Sequence, residues 1–152
     1  MGAVPRIAAE LAGELVIAAL PGPRLDAESD ALLRDGCASG VCLYGRNVED
    51  PSQLRALTDA IRERIGQDAL VCCDLEGGYV WRLKAPATHW PSAMAFGAAD
   101  RPDLTRRAAT MAAREMRAMG IDAPFAPVAD VSDHARNPVI ATRAFGGLAT
   151  HV

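Results

Sequence analysis

Two segments of the sequence contain carboxylates or arginines that could bind a ligand. The first is DLEGGYVWR, which contains Asp74 and Glu76 and ends at Arg82. The second is NPVIATRAFG, in which Arg143 is the charged residue. A carboxylate accepts hydrogen bonds from two hydroxyl groups at once, and an arginine donates from a planar fork, so these residue types suit a polyhydroxylated ligand. Asp74 and Arg82 could equally pair with each other and fasten the loop between them, and the residue types leave both interpretations open.

The neighbouring residues have simpler interpretations. Glu76 precedes Gly77 and Gly78, and because two glycines let the backbone turn sharply, we interpret Glu76 as structural. Trp81 and Trp90 flank the loop and could form a platform for a sugar ring. Anchoring of the loop is the favoured role for these two side chains.

Metal and cofactor chemistry is not indicated. The histidines lack the spacing of metal ligands: His89, His134 and His151. The sequence contains no dinucleotide-binding, P-loop or nucleophile-elbow pattern, so we predict neither a metal nor a cofactor. The cysteines form no C-x-x-C pair and lie in apolar or small-residue runs, which predicts reduced, buried thiols in a cytoplasmic protein: Cys37, Cys42, Cys72 and Cys73.

The composition narrows the possible partners. Half of the 152 residues are apolar and 23% are charged, which is enough apolar material for a folded core. The net charge is −3 and acidic and basic residues are mixed along the chain, so the basic stripe that nucleic-acid binding needs is missing. The apolar run over residues 7–20 is interrupted by Glu10 and Glu14, so we predict neither a signal peptide nor a membrane segment.

The elements that must position the polar residues alternate along the chain. Short apolar runs predict strands over residues 14–20, 40–44, 69–74 and 121–127. Amphipathic runs with capping residues or an early proline predict helices over residues 5–12, 27–34 and 102–119. A further helix is predicted to open at Asp50-Pro51, with apolar residues at helical spacing from Leu54 to Ile65. Residues 75–99 are predicted to be a long connection, and residues after Val128 to be irregular.

Strands that are apolar on both faces and alternate with helices predict a parallel α/β sheet. About four βα units are the first half of a TIM (β/α)8 barrel, which typically needs about 250 residues. A flavodoxin-like domain is the alternative, but it would want a fifth strand that the sequence does not show. Because chemistry in parallel α/β folds gathers at the carboxyl ends of the strands, we expect the polar segments to lie on that rim.

Five segments taken together carry a family resemblance: GVCLYGRN, DLEGGYVWRL, AAREMRAMGID, FAPVADV and NPVIATRAFG. In order and spacing they resemble the N-terminal part of family 3 glycoside hydrolases, with bacterial β-N-acetylglucosaminidases of cell-wall recycling the most similar. The resemblance implies a TIM barrel and hydrolysis of terminal, non-reducing β-linked N-acetylhexosamine with retention of configuration. It also implies that Asp74, Arg82 and Arg143 bind the terminal sugar, with a muropeptide-like β-N-acetylglucosaminide as the expected ligand.

Some positions depart from the family pattern. Tyr79 stands where arginine is usual, Leu75 where glutamine or histidine is usual, and Ala144 where serine is common. The family's K-H-F-P-G-H-G-type segment, with its histidine acid/base, and its late aspartate nucleophile do not occur. We therefore predict that residues 1–152 are the N-terminal portion of one barrel domain, truncated, with no catalytic residue of its own. Asp130 and Glu76 could replace the missing carboxylate, but their spacing does not support it.

Three functions remain open at this stage. The leading one is a hexosaminidase portion that binds sugar but is inactive alone. The second is a non-catalytic carbohydrate-binding or assembly half-barrel, which could self-associate through open barrel edges. The third is an intact small α/β domain with an unrelated function.

Overall fold

The computed structural model describes residues 6–83, 85–133 and 136–152. Pro5, which was predicted to lie in the first helix, and His134 fall outside these residues. The helices are α1 (Arg6–Gly13), α2 (Ala27–Arg34), α3 (Pro51–Ile65), α4 (Ala93–Ala99) and α5 (Pro102–Ala118). The strands are β1 (Ile17–Ala19), β2 (Gly40–Leu43), β3 (Leu70–Cys73), β4 (Leu75–Gly77), β5 (Val80–Trp81) and β6 (Ala123–Pro124). Short 3-10 turns cover Gly45–Asn47, Ala141–Arg143 and Ala149–His151.

The principal sheet is parallel and its strand order is β1-β2-β3-β6. Strands that follow each other in the chain are therefore neighbours in the sheet, with helices in the crossovers. This is the sequential order of a (β/α)8 barrel, whereas a flavodoxin-like sheet places its first strand between the second and the third. The predicted partial barrel is confirmed, and the flavodoxin-like alternative is wrong.

Capping residues explain where the two helices beside the sheet begin. The Asp26 carboxylate accepts a hydrogen bond of 2.8 Å from the backbone N–H of Ser29 at the start of α2. Asp50 accepts from the backbone N–H groups of Ser52 and Gln53 at 2.8 and 2.9 Å, and Pro51 occupies the first turn of α3. Side chains at these positions satisfy N–H groups that the helix itself cannot pair, so both predicted starts are confirmed.

The two faces of the sheet differ in their surroundings. Val41, Leu43 and Val71 are fully buried and belong to a core cluster with side chains of α2 and α3, including Leu33, Leu54 and Ile61. Alternate positions on the same strands point to the opposite face. There Ile17, Gly40 and Leu70 lie in one row across β1, β2 and β3, and both Ile17 and Leu70 are exposed. The core therefore lies between the helices and the outer face of the sheet.

The sequence prediction missed two elements and overextended others. The predicted connection 75–99 contains the antiparallel hairpin β4–β5 and the short helix α4. The hairpin turns at Gly77 and Gly78, whose φ angles are 95° and 58°, a region that favours glycine. The predicted fourth strand 121–127 shrinks to Ala123–Pro124, and the predicted first strand 14–20 shrinks to Ile17–Ala19. None of the helices described in the structure has the length and apolar character needed to cross a membrane.

Candidate functional site

The hairpin β4–β5 begins just after the carboxyl end of β3, and most of the polar residues predicted for the site lie in it or next to it. Asp74 lies between β3 and β4, and Arg82 follows β5 directly. The Nη2 atom of Arg82 lies 3.4 Å from Oδ2 of Asp74, and the two side chains are each about one-third exposed. A contact of this length is longer than a strong charge-assisted hydrogen bond. The pair fastens the base of the hairpin and leaves both groups with hydrogen-bonding capacity toward solvent.

Glu76 and Arg143 form a second ion pair with stronger geometry. Both oxygens of Glu76 accept hydrogen bonds of 2.8 Å, one from Nε and one from Nη2 of Arg143. The Glu76 side chain is only 8% exposed, while that of Arg143 is 26% exposed. The hydrogen bond to Glu76 raises the pKa of Arg143 above its usual value, so the guanidinium stays charged. Arg143 is thus joined to the same hairpin that carries Asp74 and Arg82.

Sequence reasoning assigned Glu76 to the glycine turn and did not pair it with Arg143. The two residues are 67 positions apart, so no local pattern connects them. One signal was available. Glu76 lies two positions after Asp74 in a segment that begins in a buried strand, and a carboxylate placed there needs a cation or several donors. Its structural interpretation is right, but its partner is the arginine of the second motif rather than the turn alone.

The glycine turn of the hairpin is held by the loop that follows it. The backbone N–H of Gly78 donates to the carbonyl oxygen of Trp90 at 2.8 Å. The Nε2–H of His89 donates to the carbonyl oxygen of Gly78 at 2.5 Å. The loop is in turn tied to α5, because Glu115 accepts from the hydroxyl and the backbone N–H of Thr88 at 2.6 and 3.1 Å. These bonds form a continuous connection from α5 to the glycine turn that follows Glu76.

The side chains of Trp81 and Trp90 are half-buried against the core. Both rings pack against the core cluster, and the Trp81 ring stacks on His89 with centroids 6.2 Å apart. Their Nε1 atoms are buried without a hydrogen-bond partner among the described residues. They also line a cavity of about 370 Å³ whose other walls are mainly apolar side chains of α4, α5 and the β6 segment. This burial fits loop anchoring rather than an exposed platform for a sugar.

The segment 137–143 brings Arg143 to the hairpin. The Asn137 side chain accepts from the backbone N–H groups of Val139 and Ile140 at 3.0 and 3.2 Å, which shapes the turn. The carbonyl oxygen of Val139 accepts from the Tyr79 hydroxyl at 3.1 Å and from Nη1 of Arg143 at 3.3 Å. Tyr79 thus fastens this segment to the hairpin from a position where the sequence departs from the family pattern.

Among the residues after β2, Asn47 has a structural role, whereas Tyr44 and Arg46 are exposed. Asn47 is fully buried, and its Nδ2 donates to the carbonyl oxygens of Leu20 and Gly22 at 3.1 and 2.7 Å. Its Oδ1 accepts from the backbone N–H of Tyr44 at 2.8 Å. Arg46 lies over the Tyr44 ring, 4.7 Å from its centroid, and donates to the Leu20 carbonyl oxygen. The side-chain amide of Asn47 therefore joins the segments that follow β1 and β2, and it is not available at the rim.

The cysteines are free, but the prediction that all four are buried is wrong. Cys72 and Cys73 are buried, and burial raises the pKa of each thiol to about 12. Cys42 is half-buried, and Cys37 is exposed in the connection before β2. Within the ranges that the structure describes, histidine, cysteine and acidic side chains form no cluster of three that could hold a metal.

Comparison with known proteins places this geometry in a family. Residues 8–152 match the glycosyl hydrolase family 3 N terminal domain. A beta-hexosaminidase of Pseudomonas aeruginosa is 40% identical over 129 residues, which cover 83% of this chain and 38% of the relative. A beta-hexosaminidase of Glaesserella parasuis is 36% identical over 127 residues, which cover 84% of this chain and 37% of the relative. The chain therefore spans less than two-fifths of the length of these relatives.

Solved structures agree with the sequence comparison. A glycoside hydrolase family 3 beta-N-acetylglucosaminidase from Paenibacillus sp. superposes with a TM-score of 0.89 and 32% identity, over 94% of this chain and 28% of that one. Native NagZ from Neisseria gonorrhoeae superposes with a TM-score of 0.78 and 30% identity, over 90% of this chain and 41% of that one. On its sequence, its strand order and these matches, the chain belongs to glycosyl hydrolase family 3, whose N-terminal domain it matches from residue 8 to residue 152.

Proposed function

We propose that this chain supplies the sugar-binding part of a retaining β-N-acetylhexosaminidase that acts on terminal, non-reducing β-linked N-acetylhexosamine. In this proposal residues 1–152 are a portion of one barrel domain. The observation that carries the proposal is that two arginine–carboxylate pairs meet at one hairpin at the carboxyl edge of the sheet. Those pairs are Asp74–Arg82 and Glu76–Arg143.

The chemistry of the two pairs suits a sugar. Asp74 is one-third exposed and accepts only one long contact from Arg82, so its carboxylate retains sites for two sugar hydroxyls. Arg143 uses three of its five N–H donors on Glu76 and Val139. Two donors remain for a ligand, and Arg82 has most of its fork free. The site therefore offers both acceptors and donors to a ligand with several hydroxyl groups.

Binding rather than hydrolysis is the activity that we assign to these residues by themselves. A retaining glycosidase needs a carboxylate nucleophile and an acid that protonates the leaving oxygen. Both oxygens of Glu76 are bound by Arg143, and the free acceptor sites of Asp74 are assigned to sugar hydroxyls, so we assign neither carboxylate to those steps. We propose no catalytic residue in this chain, and Asp74, Arg82 and Arg143 as its sugar-binding residues.

The proposal is tested by titrating N-acetylglucosamine into the purified 152-residue chain and following backbone amide NMR signals. We expect saturable shifts around Asp74 and Arg143 with a Kd on the order of 1 mM, or about 4 kcal/mol of binding free energy. Asp74→Asn keeps the shape but loses the charge, and should weaken binding about tenfold or more, whereas Asp68→Asn, at an exposed surface position, should not change it. A chromogenic N-acetyl-β-glucosaminide should not be hydrolysed. Absence of saturable shifts with the natural sequence would overturn the proposal.

The exposed inner face of the sheet favours a second property of the isolated chain. Ile17 and Leu70 are 44% and 39% exposed in one row of that face, and Phe125 after β6 is 49% exposed. The outer edges of β1 and β6 pair with no further strand among the described residues. We propose that the chain self-associates through these edges. Sedimentation velocity should show dimers or larger species whose fraction rises with concentration, and a monomer at all concentrations would contradict this.

The biological setting is a narrower proposal. Similarity to bacterial hexosaminidases supports a muropeptide-like β-N-acetylglucosaminide as the ligand and peptidoglycan recycling as the process. Four free thiols support a cytoplasmic location, since the cytoplasm keeps cysteines reduced. A titration with a muropeptide that carries a terminal β-linked N-acetylglucosamine tests the ligand, and tighter binding than N-acetylglucosamine alone is the expected result.

A further inference from the structure

We propose that Glu76 is a positioning residue, which sets the guanidinium of Arg143 in the orientation that binds the sugar without contacting the sugar itself. The inference rests on the proposed sugar-binding function and deepens it. It assigns a role to a residue that sequence reasoning had placed in the glycine turn alone.

The hydrogen bonds fix the plane of the guanidinium. Glu76 accepts from Nε and Nη2, which form the side of the guanidinium nearest to the chain, so the contact is bidentate. Nη1 donates to the carbonyl oxygen of Val139 from the other side. Because a guanidinium is planar, bonds to both of its sides leave no freedom to rotate about its axis. One N–H bond on Nη1 and one on Nη2 remain for a ligand.

The support beneath Glu76 is rigid. Its strand β4 pairs with β5, and both backbone polar groups of the adjacent Gly78 are bonded to the loop at His89 and Trp90. A side chain on Gly77 would meet the carbonyl oxygen of Pro91, so loop and turn are in close contact there. Only 8% of the Glu76 side chain is exposed, and both of its oxygens are occupied by Arg143. Glu76 thus has no free acceptor for a sugar hydroxyl, and its influence on a ligand must pass through Arg143.

Tyr79 provides an independent tether for the same segment. Its hydroxyl donates to the carbonyl oxygen of Val139, the atom that also accepts from Arg143. This bond can keep residues 137–143 near the hairpin when the carboxylate of Glu76 is altered. A Glu76 variant is therefore expected to keep the fold of the segment and to lose mainly the orientation of the guanidinium.

A double-mutant cycle on the full chain tests the inference. Glu76→Gln, Arg143→Ala and the double variant are titrated with N-acetylglucosamine by NMR, with circular dichroism to confirm folding. Glu76→Gln should weaken binding about fivefold to tenfold, and the same change in the Arg143→Ala background should weaken it by less than about twofold, because residues acting through one contact are not additive. In Glu76→Gln the side-chain Nε–H signal of Arg143 should also move toward that of a solvent-exposed arginine.

The experiment also includes a conservative variant at Glu76 and a control variant far from the site. Glu76→Asp keeps the charge and withdraws the carboxylate by one methylene, so binding should fall between that of the natural sequence and Glu76→Gln. Glu63→Gln removes an exposed carboxylate that is paired with Arg64, and it should leave binding unchanged. Unaltered affinity in both Glu76→Gln and Glu76→Asp would overturn the inference, as would equal losses with and without Arg143. Failure of the natural sequence to bind is a different result, and it would overturn the proposed function itself.

Discussion

The carboxylate of Glu76 receives two hydrogen bonds of 2.8 Å from the guanidinium of Arg143, which lies 67 residues further along the chain. Asp74 and Arg82 flank the same hairpin, at its start and its end. Asp74 and Arg82 thus lie at the two ends of this short hairpin, and Arg143 is bound to it through Glu76. These are the three residues that the family resemblance assigns to sugar binding. The parallel sheet positions this hairpin, and hydrogen bonds from its turn to His89 and Trp90 make it rigid.

Gly77 is expected to tolerate no side chain. Its φ angle is 95°, and a Cβ atom there would meet the carbonyl oxygen of Pro91. Gly77→Ala should lower the free energy of unfolding by about 2–4 kcal/mol, because backbone strain and displacement of the loop add together. Gly22→Ala is the matched control, since a Cβ there meets nothing within 4 Å, and its effect should stay within about 0.5 kcal/mol. Urea unfolding measures both, and equal stabilities for the two variants would refute the prediction.

Asn47 is expected to be among the most sensitive polar positions. Its side chain is fully buried and bonds to backbone groups of Leu20, Gly22 and Tyr44, which lie after β1 and β2. Asn47→Ala leaves these backbone groups unpaired in the interior and should cost about 2–4 kcal/mol of unfolding free energy. Asn137→Ala serves as the comparison. Asn137 is exposed, so its loss should cost less than about 1 kcal/mol. A smaller cost at Asn47 than at Asn137 in urea unfolding would be incompatible with this account.

Much of the fold could be predicted because it rests on patterns that are local in sequence. The helices that begin at Ala27 and Pro51 have capping aspartates, and α2 occurs with the predicted bounds and α3 with the predicted start. The hairpin β4–β5 has strands of three and two residues, too short to show a hydrophobic period. Its shape depends on contacts of Gly77 and Gly78 with a loop a dozen residues away, which the sequence pattern does not reveal.

The contacts within the site could likewise be predicted only where they join residues that are close in sequence. The Asp74–Arg82 contact joins residues eight positions apart, and sequence reasoning could weigh that pairing directly. The Glu76–Arg143 pair depends on how the chain after β6 returns to the hairpin, through the turn at Asn137 and the bond from Tyr79 to Val139. These are tertiary contacts of an irregular segment, and they carry no periodic signal. The residue types of the site were therefore predictable, while half of its connections were not.

Asp30 is expected to make the stability of the chain depend on pH in the acid range. Hydrogen bonds from Arg34 at 2.6 Å and Arg64 at 2.7 Å lower the pKa of its carboxyl group in the folded state. The unfolded value is about 3.9, so the stabilisation is fully present above about pH 5 and is lost as the pH falls through the lower folded value. The gap in unfolding free energy between the natural sequence and Asp30→Asn should thus be widest near neutral pH and close in acid.

The control for this prediction is Asp68→Asn, at an exposed position without an ion pair in the described part of the chain. Urea unfolding of all three proteins at several pH values between about 2.5 and 7 gives the comparison. A gap for Asp30→Asn that widens toward acid pH would contradict the direction of the pKa shift. A gap that stays constant would show that Arg34 and Arg64 do not act on this carboxyl group.

The four thiols are expected to react with a disulfide reagent in an order set by exposure and pKa. Cys37 is exposed and Cys42 is half-buried, whereas burial raises the pKa of both Cys72 and Cys73 to about 12. Because the thiolate is the reactive form, the last two should be less reactive than an ordinary thiol at pH 8 by a factor on the order of 1000. Absorbance should show one fast equivalent, one slower equivalent and two that appear only in urea. Cys37→Ser should remove the fast phase alone, and three or more fast thiols in the folded chain would show that at least one of Cys72 and Cys73 is open to solvent.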